Sequence, residues 1–309
     1  MDFEAPDWRL LHSSLARRRR FAFCPVGYYL YHVPGRDGYG NHPDDWLYKL
    51  YAAKHKISAS AWVISLWRRS LREYYCASGS FRKRRLGSFV RGAFEREFNL
   101  LENGAYRSDP KTVNSVIELE DNIFNSSYFY NSASLRLDGL INAFQAQDVS
   151  LMLAQTPMLD FRYTGGIWAW TLGGVNFSLI PDVVWTANCR LHILDMNSYA
   201  FEQEQTASAT LFRVYALRFM RIAPEFVDVY NFDPVRLTCS KVADHDDFNT
   251  LFRQLSGEGA MWRDYLLDQH AAAEIGKWNY ARKDNCGKCR FRDLCPAENG
   301  TPIAECYSI

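Results

Sequence analysis

The sequence of 309 residues has no uninterrupted apolar run of 18 residues, which is the length that a membrane-spanning helix requires. It also has no internal repeat and no low-complexity tract, so solenoid and fibrous classes are excluded. The run Arg17–Arg20, followed by apolar residues, imitates a secretion signal. The stretch after it contains several tyrosines and lacks a small-residue cleavage site, so we reject a signal peptide. We therefore expect a cytoplasmic location and no membrane partner.

The sequence also has no large excess of one charge. It contains 36 Lys and Arg and 35 Asp and Glu, which gives a formal net charge of +1. The charge is unevenly spread: residues 1–110 hold 19 Lys and Arg against 11 Asp and Glu, and residues 111–276 hold 11 against 20. A basic first part suits a protein that binds a phosphate backbone. Two ordinary solvated faces would give the same asymmetry.

Apolar residues make up 48% of the chain and aromatic residues 15%, which is enough for a packed core and argues against extended disorder. The pattern of periodicities predicts an α/β protein in three regions. These are a helical region with basic patches over 1–155, an α/β core over 156–276 and a cysteine-containing segment over 277–309.

Helical spacing and caps predict several helices. Ser14 is the expected N-cap of a helix that runs through the arginines to Cys24, where Pro25 interrupts it. Further helices are predicted over 60–76, from about 86 to 104, over 112–124, 135–153, 206–221, 248–255 with Asp247 as N-cap, and 259–275. A loop rich in Gly and Pro is predicted over 34–45.

Between about 159 and 197 the pattern changes to that of β-strands. We predict a meander of about three strands, with Ile167–Leu172, Val175–Trp185 and Arg190–Asp195 as its members, and a further strand over 226–232. The Gly173-Gly174 pair marks the first turn.

Three cysteines near the end of the chain, Cys286, Cys289 and Cys295, have the spacing C-x2-C-x5-C and are followed by Pro296. This spacing is typical of thiolate ligands wrapped around a tight turn, and a cluster or metal usually takes a fourth thiolate. The best candidate for the fourth is Cys24, with 261 residues between it and Cys286. The expected cofactor is a [4Fe–4S] cluster, with zinc as the alternative, since four-thiolate zinc sites also use C-x2-C. The other cysteines are expected to be free thiols, with Cys306 close enough to serve in reserve.

Two carboxylates lie in the predicted meander. Asp182 precedes the apolar run Val183–Trp185, and Asp195 ends the apolar strand that begins at Leu191. Two carboxylates on neighbouring strands can share Mg2+ or Mn2+, because these cations prefer oxygen ligands and can activate water against a phosphodiester. Alternatively, each aspartate simply ends a strand or begins a turn.

The order of these features resembles that of the PD-(D/E)XK nuclease superfamily, and within it the iron–sulfur branch. That branch includes RecB-like exonucleases of CRISPR adaptation and the AddB subunit of helicase–nucleases. Its early Cys-Pro motif followed by aromatics and its C-terminal C-x2-C-x5-C-P match this sequence. Between them the family has a G-x-x-x-H helix, an isolated Asp, a strand ending in D-x-K and a Q-x-x-x-Y helix. The matching positions are Cys24-Pro25, Gly92 to Arg96, Asp182, Asp195 to Asn197, Leu211 to Tyr215, and Cys286, Cys289 and Cys295.

The resemblance implies a RecB-like core, a mixed sheet flanked by helices, with a cluster that joins the two ends of the chain. It also implies catalytic roles at Asp182, Asp195, Asn197 and Tyr215. The sequence departs from the family where the lysine becomes Asn197, the histidine becomes Arg96 beside Glu95, and the glutamine becomes Leu211. Loss of one preorganised charge typically lowers the rate on the order of 100-fold or more. Glu95 is a possible third metal ligand. Arg213 or Arg218, on the helix that is expected to pack across this sheet, is a hypothetical substitute for the lysine.

Nucleic-acid contacts are expected at three basic clusters that lie on or before predicted helices. We expect DNA, in single-stranded form, as the ligand, because the family's helical part commonly lines a passage for such a strand. The clusters are Arg17, Arg18, Arg19 and Arg20; Arg68, Arg69 and Arg72; and Arg82, Lys83, Arg84 and Arg85.

The sequence therefore predicts a nuclease-fold subunit of a DNA-processing or defence complex that binds nucleic acid without cleaving it. The alternative is an active nuclease that depends on Mg2+ or Mn2+. A more distant alternative is a structural zinc protein unrelated to DNA.

Overall fold

A computed structural model shows the protein as helices packed around two β-sheets. The structure describes residues 11–13, 15–36, 45–76, 85–107, 116–120, 125–157, 160–162, 167–172, 174–243, 247–278, 281–302 and 306.

Before residue 156 the described residues form mainly helices, with one short strand, β1 (Leu11–Ser13). Cys24 takes an extended conformation and Pro25 starts a new helix, so the predicted interruption is confirmed. The helices are α1 (Leu15–Phe23), α2 (Pro25–His32), α3 (Trp46–His55), α4 (Ala59–Cys76), α5 (Leu86–Glu102), α6 (Ile117–Glu120), α7 (Ser126–Gln145) and α8 (Asp148–Gln155).

Two of the predicted helices, over 60–76 and 86–104, are confirmed as α4 and α5. The prediction for 135–153 was wrong in its continuity, because the chain breaks between α7 and α8, where Gln147 is extended. Of the helix predicted over 112–124, only 116–120 lies in the described part, and it contains α6. Most of the predicted loop over 34–45 lies outside the described residues.

Five strands form a mixed sheet in the order β2-β5-β6-β7-β8, in which β6 and β7 are parallel and the other pairs are antiparallel. A second sheet has the order β1-β4-β3, with β1 parallel to β4. The strand bounds are β2 (Phe161–Arg162), β3 (Trp168–Leu172), β4 (Val175–Leu179), β5 (Val183–Ala187), β6 (Arg190–Asp195), β7 (Val227–Asp233) and β8 (Thr238–Lys241).

The single strand predicted over Val175–Trp185 was wrong, because it divides into β4 and β5, which belong to different sheets. The division falls at Pro181, which has no N–H to donate to a strand ladder. The next residue, Asp182, donates its backbone N–H to Leu194 at 2.9 Å and so begins the pairing of β5 with β6.

Two long helices follow the meander: α9 (Glu202–Tyr215) and α10 (Phe248–Glu274). The helix predicted over 206–221 ends earlier, since a π-helical turn covers Ala216–Met220. The two helices predicted after 247 form the one helix α10, which continues through Gly257. Asp247 is its N-cap as predicted, because its carboxylate accepts from the backbone of Asn249 and Thr250.

The five-stranded sheet lies between helices, which confirms the mixed α/β class. One face packs against α4, α5 and α7 through a core that includes Trp67, Trp185 and Phe232. The other face packs against α9 through residues such as Ile193 and Phe212. Alternate residues of β5 and β6 therefore enter opposite cores, as expected of strands buried on both faces.

Segments distant in the sequence meet in a separate core that contains residues of α2, α3, α10 and the C-terminal segment. The Trp46 indole N–H donates to the Leu294 carbonyl at 3.0 Å, which ties α3 to this segment. The three predicted regions are also interleaved, since β1 of the first pairs with β4 of the second. Within the described residues, no helix has the length and apolar character to cross a membrane.

Candidate functional site

A buried ion-pair network lies where β5 begins and β6 ends. Asp182 is fully buried, and its two carboxylate oxygens accept from both Arg68 and Arg72 of α4. Arg68 donates through Nε and Nη2, each at 2.9 Å, and Arg72 donates through Nε and Nη2 to Oδ1 at 2.9 and 2.8 Å. The backbone N–H of Met196 donates to Oδ2 at 2.7 Å. Asp182 is therefore held by five hydrogen bonds.

The sequence of α4 explains how two arginines reach one carboxylate. Arg68 and Arg72 are four residues apart, so they lie one above the other on the same side of the helix. Trp67 and Leu71 are fully buried in the core between α4 and the sheet. Packing of this apolar side fixes the helix against the sheet, and the adjacent arginines then reach the strand ends.

The two guanidinium groups decide the charge of Asp182. Burial by itself raises the pKa of this carboxyl, but attraction and hydrogen bonds from Arg68 and Arg72 outweigh it and hold the pKa below its usual range. The pKa of Arg68 is in turn raised, because Asp182 outweighs the effect of burial. The carboxylate is thus ionised and neutralised by fixed cations of the protein itself.

Asp195, the second predicted carboxylate, is 2% exposed. It accepts from the Tyr199 hydroxyl and from the side-chain amide of Asn197 at 2.6 Å. Burial raises its pKa to about 6, and repulsion from Asp182 adds to the shift. The two carboxylates of this buried network therefore titrate in different pH ranges, and Asp195 takes up its proton first as the pH falls through about 6.

Asn197 connects the two aspartates. Its Oδ1 accepts from Arg68 Nη1 at 2.9 Å, while its Nδ2 donates to Asp195. The backbone here is fixed by Asn231 of β7, which donates to the carbonyls of Asp195 and Asn197 at 2.9 Å. Asp182, Asp195 and Asn197, predicted from the sequence, are thus brought together.

Glu95, the expected third metal ligand, does not join them. It lies on the exposed side of α5, opposite the buried Phe94 and Phe98, and accepts a hydrogen bond from Tyr130 of α7. Among the described residues, no three His, Cys, Asp or Glu side chains lie together as ligands of one metal ion. The placement of Glu95 as a ligand was therefore wrong, because the apolar side of α5 faces the core and turns this carboxylate away.

Tyr215 and Arg213 have structural contacts on α9. The ring of Tyr215 stacks on Trp168 of β3, with centroids 4.3 Å apart. Arg213 is buried and donates to the carbonyls of Val227 and Val242 at 3.1 and 2.8 Å. Arg213 thus joins the ends of β7 and β8, and the hypothesis that it replaces the missing lysine was wrong.

The basic clusters make many contacts within the protein. In the first cluster, Arg18 pairs with Glu258 at 2.8 Å and Arg19 pairs with Glu204 at 3.3 Å. Arg17 donates to the Tyr28 hydroxyl.

In the second cluster, Arg69 pairs with Glu97 at 2.7 Å, and Arg68 and Arg72 hold Asp182. In the third, Arg85 is exposed beside the start of α5, and Arg82, Lys83 and Arg84 lie outside the described residues. Phosphate contact by these clusters stays a prediction.

The four cysteines predicted to act together line one cavity of about 370 Å3. Burial raises the pKa of Cys295 to about 12, and the nearby Cys289, Cys24 and Cys286 contribute to the shift. A further cysteine, Cys306, is buried in the same apolar core as Cys24 and donates to the Pro302 carbonyl.

Gly27, one turn into α2, is part of the wall of this cavity. A Cβ at this position would lie 4.0 Å from both the Cys24 and the Cys289 sulfur. The wall of the cavity also includes Glu298 and the basic residues Arg282, Lys283 and Arg292. The four thiols share this cavity, but among the described residues they do not form a ready-made ligand group, so a thiolate-bound cluster stays a prediction.

The sequence reasoning missed two residues of the Asp195 network, Tyr199 and Asn231, and the pairing of Arg68 and Arg72 with Asp182. A signal for the arginines existed, since two arginines at i and i+4 beside a strongly apolar helix side have room to reach a buried anion. Nothing local in the sequence indicates Asn231, because β7 lies next to β6 only through the crossover of α9.

Comparisons with protein-family models, with curated proteins and with solved structures found no match.

We predict that Asp182→Asn lowers the free energy of unfolding by about 3–5 kcal/mol, because it leaves two largely buried guanidinium groups without their anion. Urea unfolding at pH 7 would measure it. Asp138→Asn is the matched control, because Asp138 pairs with Arg91 at the surface and a change of about 1 kcal/mol or less is expected. Equal effects of the two substitutions would contradict the role given to Asp182.

A second prediction concerns pH. Because the pKa of Asp195 is raised in the folded state to about 6, its contribution to stability is complete below about pH 4 and is lost as the pH rises through 6. In Asp195→Asn this titration is absent. The difference in unfolding free energy, wild type minus variant, should therefore fall by about 2 kcal/mol between pH 4.5 and pH 7. A difference that is constant with pH would exclude the buried titration.

Proposed function

We propose that the chain is a nucleic-acid-binding protein with an iron–sulfur PD-(D/E)XK nuclease-like fold that does not cleave its ligand. In this proposal it serves as a subunit of a DNA-processing or defence complex and binds single-stranded DNA. The proposal rests on the resemblance in motif order and on one observation in particular: two arginines form ion pairs with the Asp182 carboxylate.

A nuclease of this type uses the isolated aspartate to hold a divalent cation. Here Arg68, Arg72 and the backbone of Met196 supply donors to both oxygens of Asp182. A cation that approached the carboxylate would meet two guanidinium charges at close range and would have to displace them. The fixed arginines thus take the place that Mg2+ or Mn2+ would need, which supports binding without cleavage.

The position of the family's lysine supports the same conclusion. Asn197 provides an amide, which carries no charge to stabilise a developing phosphorane. Its carbonyl oxygen accepts from Arg68, so it helps to fix the arginine in the site. Asp195 and Asn197 therefore complete an ion-pair network in place of a catalytic one.

The proposed cofactor is a [4Fe–4S] cluster bound by Cys24, Cys286, Cys289 and Cys295. Support comes from the motif order and from the cavity that the four cysteines line together. The cluster would supply cross-links between α2 and the C-terminal segment. Its role is structural, since it would join Cys24 to Cys286, which have 261 residues between them in the sequence.

The binding function predicts retention of single-stranded DNA without its cleavage. Labelled single- and double-stranded oligonucleotides would be incubated with the purified protein and Mg2+ or Mn2+, and both binding and product formation would be measured. We expect binding that weakens steeply with salt, because it depends on phosphate contacts, and we expect no product.

Asp195→Asn is the control for this experiment. Cleavage by wild type that the variant abolishes would overturn the proposal in favour of an active nuclease. Cleavage that persists equally in the variant identifies a contaminating nuclease, and the assay is then repeated on repurified protein to decide whether the chain itself cleaves. A failure of the wild type to bind either oligonucleotide would overturn the binding function.

The cofactor prediction is tested on protein purified without oxygen. We expect a brown colour with absorbance near about 400 nm and about four irons per chain, and loss of both in Cys24→Ser. Cys189→Ser is the matched control, because Cys189 is exposed in the turn between β5 and β6. If the wild-type protein is colourless and contains stoichiometric zinc, the cofactor is zinc and the iron–sulfur cluster is overturned.

A further inference from the structure

Two cations lie over the ring of Tyr31, and a third, from another segment, lies close enough to interact electrostatically with the ring. The guanidinium carbon of Arg20, on α1, lies 3.3 Å from the ring centroid, and Nζ of Lys54, on α3, lies 4.7 Å from it. Arg290, in the C-terminal segment, donates to the carbonyl of Lys54 at 2.8 Å. We call Arg20, Lys54 and Arg290 the Tyr31 cation cluster.

The cluster concentrates positive charge. The groups that act most on Arg20 besides burial are two tyrosines and two arginines. Burial lowers the pKa of Arg20, attraction by Tyr31 opposes this, and repulsion from Arg290 lowers the pKa further. Arg20 also contacts His32, at 3.3 Å, and Lys54 donates to the Gly35 carbonyl at 3.5 Å, so the cations are held in place by the protein. An anion beside them would be attracted by all three positive charges.

The cysteine cavity fixes the geometry of the cluster. Arg290 directly follows Cys289, which lines the cavity, and Arg20 lies one turn before Cys24. The backbone N–H of Cys24 donates to the Arg20 carbonyl at 3.1 Å. Two of the three cations are thus carried by the two segments that the cysteines bring together.

We infer that the Tyr31 cation cluster binds a backbone phosphate of a nucleic acid, and that Arg290 is a direct contact. This inference rests on the proposed function and adds a location to it. The sequence assigned phosphate contacts to Arg17–Arg20 as a run. The structure engages Arg18 and Arg19 with carboxylates and directs Arg20 to a composite site that Lys54 and Arg290 complete.

The test compares the salt dependence of binding between variants. Fluorescence anisotropy with labelled oligothymidine would give the dissociation constant at several salt concentrations for wild type, Arg290→Gln, and Arg20→Gln with Arg290→Gln. On a single strand, each lost phosphate contact reduces the slope of log affinity against log salt by about 0.7. We expect reductions of about 0.7 and about 1.4, with about tenfold weaker binding for the single variant at low salt.

Arg253→Gln is the matched control, because Arg253 is an exposed arginine on α10 that contacts Asn249 and Thr250. It removes one charge and should leave the slope unchanged. The visible absorbance and the thermal unfolding midpoint of each variant show whether the cysteine centre and the fold are intact. Lys54→Gln replaces Arg20→Gln if the double variant fails this check.

The outcomes separate the two proposals. Wild-type binding with an unchanged slope in Arg290→Gln and in the double variant overturns the cluster and leaves the proposed function standing. If wild type does not bind the oligonucleotide, titration with inorganic phosphate follows. If wild type binds phosphate and the variants do not, the cluster is an anion site without a nucleic-acid function. If wild type does not bind phosphate either, both the cluster and the proposed function are overturned.

Discussion

The described structure depends on one electrostatic contact, the pairing of the buried Asp182 carboxylate with Arg68 and Arg72. An isolated carboxylate without exposure would be expelled or protonated. With two guanidinium groups and a backbone N–H it is stable as an anion, and it fixes α4 against the junction of β5 and β6. Met196 and Asn197 are held through the same network, so the end of β6 is as constrained as its middle.

A second constraint acts at the other side of the molecule, where the cysteines lie. There, α2 and the C-terminal segment pack together with α3 and α10 in one apolar core. Hydrogen bonds from Trp46 and Asn285 to distant backbone carbonyls join the same segments. The thiols thus lie in a region that is already assembled from apolar packing, and a bound cluster would lock this arrangement rather than create it.

The sequence predicts elements well where periodicity and caps are local. α4, α5, β6, β7 and the Asp247 cap all follow from spacing or from a single residue type. The split of β4 from β5 depended on the missing N–H of Pro181 and on which partner strand each half finds, and the second factor is tertiary.

The candidate site shows the same limit. The two aspartates and Asn197 were predicted together because a motif order relates them. The arginines, Tyr199 and Asn231 are joined to them only by packing, which the sequence does not display. The prediction of Glu95 as a ligand was wrong for a related reason. Only one side of a helix packs against the core, and in α5 the aromatic residues determine which side that is.

The pairing of Asp182 also limits how this chain can change over generations. If the family resemblance reflects ancestry, a return to metal dependence is not one substitution away. A lysine at 197 alone would add a third positive group beside Arg68, and loss of Arg68 alone would leave Asp182 half neutralised in the interior. Either intermediate would be less stable than the present chain, so the network resists stepwise substitution at this position.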